Sequence, residues 1–294
     1  MQLEKFTDSS VGPLLDHMNR IEVSSNNPDI DPERVSLNYS LTPYINVSRS
    51  DYQTSFDIRA EVRAQEYEYY KLRKSELYCY NRNDINTIAG CVVPLPKELS
   101  SPEQQERFFE GVAQFLSDRY GGDPTPDGRV YPNVISVSVH YDERQTVEGQ
   151  LIGHLHFNWI PAVEINKDVL MSRKNHVKAM ENYDYKISAK EVITKRDLKT
   201  LHQDMQKYLI DNGIEGRVVF KGEGGQRSIN IPTHMLKEYT DRTGKTISKE
   251  DLRNLTVDKL ADTFEIARST EKVSAWGDRT NWGRDKSEDI TWNR

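Results

Sequence analysis

Cysteine is scarce in this chain, and its scarcity argues against a disulfide-stapled protein. Cys79 and Cys91 are the only two cysteines among 294 residues, and they form no CxxC pair. Two thiols are too few for a disulfide framework, and this usage is typical of a reducing compartment. The chain is long enough to bury a sizeable hydrophobic core instead.

A long apolar run is also missing. No segment approaches the roughly 18 apolar residues that a membrane-spanning helix needs, and the N-terminus lacks the basic and apolar regions of a signal peptide. We therefore expect no membrane segment and a cytoplasmic location. The hydrophobic content is only 36%, but 15 tyrosines and 4 tryptophans favour a folded, polar globule over disorder.

An excess of positive charge is the third absence. The formal net charge of −6 argues against a protein that coats nucleic acid nonspecifically. One region departs from this balance, because cations outnumber acids between Lys167 and Lys199. Within it, Arg173, Lys174 and Lys178 are candidate contacts to DNA phosphates. A solvated, charged helix is the alternative interpretation.

Two segments in the middle of the chain alternate apolar and polar residues, which predicts β-strands. The first runs from Val134 to His140 and the second from Leu151 to Ile160. Side chains of one strand alternate between its two faces, so each strand should present one apolar and one polar face. The residues expected on the apolar faces are Ile135, Val137 and Val139 in the first strand and Leu155, Phe157 and Trp159 in the second.

Three histidines lie on the expected polar faces. They are His140, His154 and His156, and Glu143 follows just after the first strand. If the strands pair as a hairpin, the three imidazoles converge on one face of a sheet. Imidazole nitrogens suit Mn, Zn, Ni or Fe, and carboxylates suit Mg or Mn, so the set predicts an open site for a divalent metal, Mn²⁺ or Mg²⁺. Surface or core histidines without a ligand are the alternative.

The remaining sequence predicts a mixture of helices and strands. Ser101 with Gln104 forms a capping box, and Thr194 with Asp197 marks a second helix start. The long charged helix expected at Asp51–Lys74 should bury a stripe of residues that includes Phe56 and Leu72. The other predicted elements are strands at Met1–Phe6 and Thr87–Leu95, an extended segment at Val35–Leu41, and helices at Gly12–Glu22, Asp51–Lys74 and from Ser248 onward.

Three ordered motifs resemble a known family. They are His17-Met18-Asn19-Arg20, then Asn27 to Arg34 with Leu37 to Leu41, then His140 and Glu143 with His154-Leu155-His156 and Pro161. In this order they are similar to the MobV (Pre/Mob) plasmid mobilisation relaxases. Those enzymes belong to the HUH endonucleases, which are named for two histidines that flank a hydrophobic residue.

The resemblance implies an α/β fold, with a central, mainly antiparallel sheet flanked by helices and a helical C-terminal region. We expect an HUH nuclease domain at 1–231, a helical extension at 232–270 and a polar, tryptophan-containing tail at 271–294. The implied activity is metal-dependent, site-specific nicking of one DNA strand at an origin of transfer, with a covalent 5′-phosphate intermediate. The implied partners of this bacterial protein are single-stranded or supercoiled origin DNA and a coupling or transfer-machinery protein at the tail.

The resemblance also implies roles for single residues. His17 maps onto the nucleophile and Arg20 onto a charge stabiliser, whose guanidinium lies within one helical turn of His17 and could meet a phosphate in two-pronged fashion. Glu143 maps onto the acid that acts beside the metal. The implied metal ligands are His140, His154, His156 and Glu143, and the expected DNA contacts include Asn38 and Tyr39.

Two other functions remain open at this stage. One is a replication initiator or transposase of the same HUH chemistry, in which Tyr39 or Tyr44 attacks the phosphate. The other is a DNA-binding regulator whose metal is structural. The chain also departs from the family by an insertion, Arg144 to Gly153, between the acid and the second histidine. Lengthening a hairpin tip costs only about 0.6 kcal/mol per doubling of the loop, so the metal site can tolerate it.

Overall fold

The computed structural model describes residues 2–21, 30–143, 153–168 and 178–218. These residues form seven strands and six α-helices. In chain order they are β1 (Gln2–Thr7), α1 (Val11–Asn19), β2 (Tyr39–Ser40), α2 (Arg49–Thr54), α3 (Phe56–Ser75), β3 (Asn86–Pro94), α4 (Pro102–Tyr120), β4 (Val134–His140), β5 (His154–Trp159), β6 (Ala162–Glu164), β7 (Tyr185–Ile187), α5 (Ala189–Val192) and α6 (Lys195–Asp211). None of the helices in these ranges is long and apolar enough to cross a membrane.

The main sheet has five strands in the order β1-β3-β5-β4-β2, and every neighbouring pair is antiparallel. Strands β6 and β7 form a separate antiparallel pair. The predicted hairpin of β4 and β5 is present, with His140 opposite His154 and Ser138 opposite His156. The expected mainly antiparallel sheet with flanking helices is confirmed.

Helices cover both faces of this sheet, and each face has its own core. On one face, Val137, Val139, Leu155 and Phe157 pack with residues of α4 and α6. On the other, residues of α1 and α3 pack over Ile88 and Ile135. The histidines of β4 and β5 belong to this second face, so α1 and α3 are the elements that build the site above them.

Two helices begin at the capping residues that the sequence predicted. The Ser101 side chain accepts a hydrogen bond from the Gln104 amide, and the Gln104 side chain accepts one from the Ser101 amide. The Thr194 side chain accepts one from the Asp197 amide. Each cap satisfies amides that the first helical turn leaves without partners, which is why α4 and α6 begin at these residues.

The expected helix at Asp51–Lys74 is two helices, because Ser55 adopts an extended conformation and caps α3. The predicted core stripe is also partly wrong, since Phe56 is 48% exposed and Leu72 is 60% exposed. The residues that α3 does bury are Arg59, Val62, Glu66 and Tyr70. Two of these are charged, so a pattern of apolar residues alone could not reveal this stripe.

The expected side of Ile135 is wrong as well. The pairing of β4 with β5 shifts between Val134 and Ser136, which leaves Ile135 as the extra residue of a β-bulge. Ile135 therefore packs with α1 and α3, whereas Val137 and Val139 pack with α4. Beyond the bulge, His140 keeps the polar side that alternation predicted.

The segment expected to be extended at Val35–Leu41 is helical over its first three residues. Asp31 caps a short 3-10 helix, Pro32–Leu37, and only Tyr39–Ser40 joins the sheet. Proline at the helix start and the Asp31 cap explain this outcome. The predicted helix from Ser248, most of the insertion and the tail lie outside the described residues.

Candidate metal centre

The histidine cluster lies where α1 ends above the polar face of β4 and β5. The ring centroids of His140, His154 and His156 are 4.8 to 5.5 Å apart. The His17 ring joins them, at 5.6 Å from His140 and 5.5 Å from His156. The structure thus brings together the three histidines of the hairpin and the histidine of the first motif, which lie more than a hundred residues apart in sequence.

Glu143 completes the cluster. Its Oε2 atom lies 3.4 Å from Nε2 of His154 and 3.7 Å from Nε2 of His17. One possible ligand atom from each of His17, His140, Glu143 and His156 falls within 4.8 Å of the others. Three of the four predicted ligands are therefore in this group, and His17 takes the place of His154, whose Nε2 atom lies beside Glu143.

The donor set fits a divalent cation. Burial lowers the pKa of His140 and His156 well below the usual value, so both rings are neutral. Burial by itself would raise the pKa of Glu143, but the hydrogen bond with His154 and nearby positive charge outweigh it and keep the carboxylate ionised. Neutral imidazole and ionised carboxylate are the forms that bind metals.

Two buried polar atoms of the cluster also lack a partner. They are Nε2 of His156 and Oγ of Ser138, and neither makes a hydrogen bond within the part of the chain that the structure describes. Ser138 and His156 are paired across β4 and β5, so the two atoms belong to one patch of the sheet. A buried polar atom without a partner is costly, and a cation with its bound water would satisfy both.

Both nitrogens of His140 already have hydrogen-bond partners. Nη2 of Arg20 lies 3.0 Å from Nδ1, and the Met18 carbonyl oxygen lies 2.9 Å from Nε2. A guanidinium only donates, so Nδ1 accepts and the Nε2 proton is donated to Met18. His140 can bind an ion only by giving up one of these hydrogen bonds.

Arg20 is a buried structural side chain in this arrangement. It adopts the left-handed conformation that ends α1, with φ 52° and ψ 46°, and only 1% of it is exposed. Nε and Nη2 each donate to a carboxylate oxygen of Asp142 at 2.8 Å, and Nη1 donates to the His17 carbonyl at 2.7 Å. The expectation that Arg20 makes a bidentate contact with a phosphate is therefore wrong, because Nε and Nη2 already donate to Asp142.

Asp142 is the residue of this site that sequence reasoning missed. It is fully buried, and besides Arg20 it accepts a hydrogen bond of 2.7 Å from Asn38 Nδ2. Asn38 also accepts from the Tyr141 amide at 2.8 Å. Asn38 is thus a buried anchor of β4 and not the free DNA contact that was predicted. An acid two residues after His140 was the available signal, but its partners are distant in sequence.

Replacing Asp142 with alanine should strongly destabilise the fold. It would leave the Arg20 guanidinium buried without its counterion, and breaking a buried ion pair in this way costs about 3–5 kcal/mol. Urea unfolding followed by circular dichroism measures the loss. The matched control is Asp184→Ala, which removes an ion pair between side chains of Lys167 and Asp184 that are 53% and 78% exposed. Equal losses in the two variants would contradict the role given to Asp142.

The two tyrosines considered as nucleophiles lie away from the cluster. Tyr39 pairs with Val139 and packs in the core on the opposite face of the sheet, where Arg49 covers its ring at 3.7 Å. The Tyr44 hydroxyl donates to the Ile135 carbonyl at 2.5 Å, at the other end of β4 from His140. Burial raises the pKa of both hydroxyls. This geometry does not favour a tyrosine mechanism through either residue, and the predicted contact of Tyr39 with DNA stays a prediction for a side chain that is 2% exposed.

The cation-rich region between Lys167 and Lys199, the basic block, lies only partly within the described residues. Arg173 and Lys174 lie outside the described residues, and the same holds for the side chain of Lys178. Their predicted contact with DNA stays a prediction.

An antiparallel sheet between two helical layers, with a histidine and carboxylate cluster on one hairpin, defines an α/β protein with a candidate metal centre on its sheet. The model of the plasmid recombination enzyme family, Mob_Pre, matches residues 1–228, and the chain belongs to this family. The resemblance to the MobV (Pre/Mob) relaxases is thereby confirmed.

Curated relatives agree with this assignment. A plasmid recombination enzyme of Bacillus thuringiensis is 22% identical over 92% of this chain and 49% of its own length. A type 1 enzyme of Staphylococcus aureus is 26% identical over 70% of this chain and 40% of its own length. The chain spans about half the length of the curated relatives it matches.

The solved structures bear on the fold alone. A Mn-bound crystal structure of the MobM relaxase domain with plasmid oriT DNA, at pH 6.8, is 21% identical and has a TM-score of 0.51. The match covers 82% of this chain and 97% of that one. A second Mn-bound complex, at pH 5.5, gives the same score over 81% and 97%.

Proposed function

We propose that this chain is a metal-dependent relaxase, which nicks one DNA strand at an origin of transfer and stays attached to the 5′ phosphate through His17. The observation that carries the proposal is the position of His17 at the end of α1, beside Glu143 and the hairpin histidines. Its side chain is 30% exposed, so a substrate can reach it. The MobM domain of similar fold binds Mn and oriT DNA.

His17 has the protonation state that a nucleophile needs. Burial and the neighbouring Arg20 guanidinium lower its pKa to about 4. The ring is therefore neutral at physiological pH and carries a lone pair on one nitrogen. Nη1 of Arg20 lies 3.1 and 3.3 Å from the two ring nitrogens, so this contact favours neither nitrogen as the one that attacks.

In the proposed step, a ring nitrogen of His17 forms a bond to phosphorus as the bond from phosphorus to the 3′ oxygen breaks. The ring loses its remaining proton, and the 3′ oxygen gains one, so atoms and charge balance. The ionised Glu143 attracts the positive charge that develops on the ring during the attack. The phosphoramidate conserves the energy of the broken bond, which permits later religation without ATP.

The ion is proposed to be Mn²⁺ or Mg²⁺, held by His154, His156 and Glu143, with His140 after it gives up a hydrogen bond. When bound, such a cation polarises a nonbridging phosphate oxygen and makes the phosphorus more electrophilic.

The test uses the full chain with single-stranded oligonucleotides and supercoiled DNA that carry the origin of its own replicon. A Mn-dependent adduct that survives a denaturing gel, and that disappears with a chelator, is the expected result. Metal-dependent DNA binding without any adduct would favour the regulator with a structural metal.

The basic block gives a further prediction. If Arg173, Lys174 and Lys178 contact phosphates, replacing all three with alanine should flatten the salt dependence of single-strand binding by about 0.7 per lost contact. Fluorescence anisotropy at several salt concentrations measures the slope. The control is Lys207→Ala, which removes an exposed cation paired with Asp211. An unchanged slope in the triple variant would favour the alternative interpretation, in which the basic block is a solvated, charged helix.

Several wider expectations belong to the same proposal. They are the domain limits 1–231, 232–270 and 271–294, a transfer-machinery partner at the tail, and a cytoplasmic location. Limited proteolysis of the full chain would test the limits at 231 and 270.

A further inference from the structure

Helix α3 buries a carboxylate that the proposed chemistry does not use. Glu66 is 0% exposed, and both of its oxygens accept a hydrogen bond. Oε2 accepts from Asn19 Nδ2 at 2.7 Å, and Oε1 accepts from the Thr42 hydroxyl at 2.9 Å. Burial raises its pKa to about 7, which shows how unfavourable this environment is for a charge. An apolar residue would fill such a position at lower cost.

The first partner, Asn19, belongs to the turn that carries the reactive histidine. It is the last residue of α1, two positions after His17 and one before Arg20. Its Nδ2 also donates to the Leu15 carbonyl at 3.1 Å, and its Oδ1 accepts from the Tyr52 hydroxyl at 3.1 Å. These contacts leave the amide a single orientation, so Glu66 holds the end of α1 at a fixed position.

The second partner ties Glu66 to the sheet. The Thr42 hydroxyl oxygen accepts a hydrogen bond of 3.0 Å from the Val137 amide, in the middle of β4. Val137 lies three residues before His140 on the same strand. One carboxylate therefore connects α1 and β4, the two elements whose ends carry His17 and His140.

We propose that Glu66 is a positioning residue for His17, which holds the last turn of α1 in register with β4 through Asn19 and Thr42. The role rests on the proposed function, because it concerns the approach of His17 to the phosphate. Glu66 itself contacts neither His17 nor the hairpin histidines through any of its hydrogen bonds. Its loss should therefore affect the reaction step and leave the binding of DNA and metal intact.

Glu66→Gln tests this with little change in volume. The carboxylate offers an acceptor to both Asn19 and Thr42, whereas the amide offers only one, so the two contacts cannot both be kept as they are and the link between α1 and β4 is weakened. A displacement on the order of 1 Å near the reacting atoms can cost about a hundredfold in rate. We expect single-turnover adduct formation to fall by at least about tenfold. The dissociation constants for uncut DNA and Mn²⁺ should stay within about twofold, since their contacts remain.

A second substitution provides a rescue. Asn19→Asp combined with Glu66→Gln exchanges carboxylate and amide, so that a donor and an acceptor face each other again. The double variant should recover only part of the lost rate, because the hydrogen bond from residue 19 to the Leu15 carbonyl is not restored. Asn19→Asp alone places two carboxylates together and should be slower than the double variant. A merely space-filling role for Glu66 predicts no such recovery.

The matched control is Tyr70→Phe, one helical turn further along α3. It removes the hydroxyl that contacts Thr87 at 2.8 Å and Asp8 at 2.5 Å, and Asp8 precedes the start of α1, at the opposite end from His17. It should lower the thermal midpoint and leave the rate of adduct formation per folded molecule unchanged. An undiminished rate in Glu66→Gln, or an equal loss of rate in Tyr70→Phe, would overturn the positioning role. A wild-type chain that forms no adduct would instead contradict the proposed function.

Discussion

A His17→Ala variant is expected to form no covalent DNA adduct and still to bind DNA and Mn²⁺. The neutral ring of His17 stands beside Glu143, and its side chain is 30% exposed. The adduct is a bond to the His17 ring itself, so the variant cannot form it, and any remaining cleavage should be hydrolysis at a rate at least about a thousandfold lower. The attached strand carries the 5′ phosphate, so a 3′-labelled oligonucleotide on a denaturing gel detects the adduct.

The bond in the adduct provides a second, independent readout. A phosphoramidate to histidine is labile to acid, whereas a phosphotyrosine is stable. Acid treatment should therefore release the labelled strand from the wild-type protein. Tyr39→Phe and Tyr44→Phe serve as controls, because both hydroxyls lie away from the cluster, and both variants should form the adduct. An acid-stable adduct, or one that persists in His17→Ala, would show that another residue attacks the phosphate.

The hairpin and the convergence of its histidines could be predicted because they depend on a short-range rule. Side chains in a strand alternate faces, so a run of about seven residues fixes which of them share a side. His154 and His156 satisfy this rule without exception. The β-bulge breaks it at Ile135, because an extra residue in one strand has no counterpart in an alternating pattern. Since the bulge precedes His140 by five residues, the local pattern still placed that histidine correctly.

The contacts that organise the site could not be predicted because their partners are distant in sequence. Arg20 was assigned by its spacing from His17, yet its guanidinium is bound by Asp142, which lies 122 residues away. Glu66 was hidden within a charged helix, since a search for apolar stripes treats every acid as solvent-exposed. The family resemblance predicts Asn38 as a DNA contact, although its side chain binds Asp142. Polar residues that are buried carry the same sequence signal as polar residues that are exposed.

The metal site is expected to depend most clearly on His156. Its Nε2 atom is buried without a hydrogen-bond partner among the described residues, so a bound cation gains this ligand without breaking an existing contact. Loss of residues that merely support metal ligands costs about 10–100-fold in affinity, and loss of a ligand itself should cost at least as much. His156→Ala should therefore bind Mn²⁺ about a hundredfold more weakly or worse, as measured by isothermal titration calorimetry.

Two controls make the metal experiment specific. Asn158→Ala removes the next side chain on the same face of β5, which donates to the Ser136 hydroxyl at 3.0 Å and lies outside the cluster. His202→Ala removes an imidazole on α6, which packs on the opposite face of the sheet from the histidine cluster. Both should bind Mn²⁺ with nearly wild-type affinity, because neither changes a ligand. Undiminished binding in His156→Ala would rule out the hairpin site, and equal weakening in Asn158→Ala would attribute the loss to local unfolding of β5. A selective loss would establish that the imidazole of His156 holds the ion.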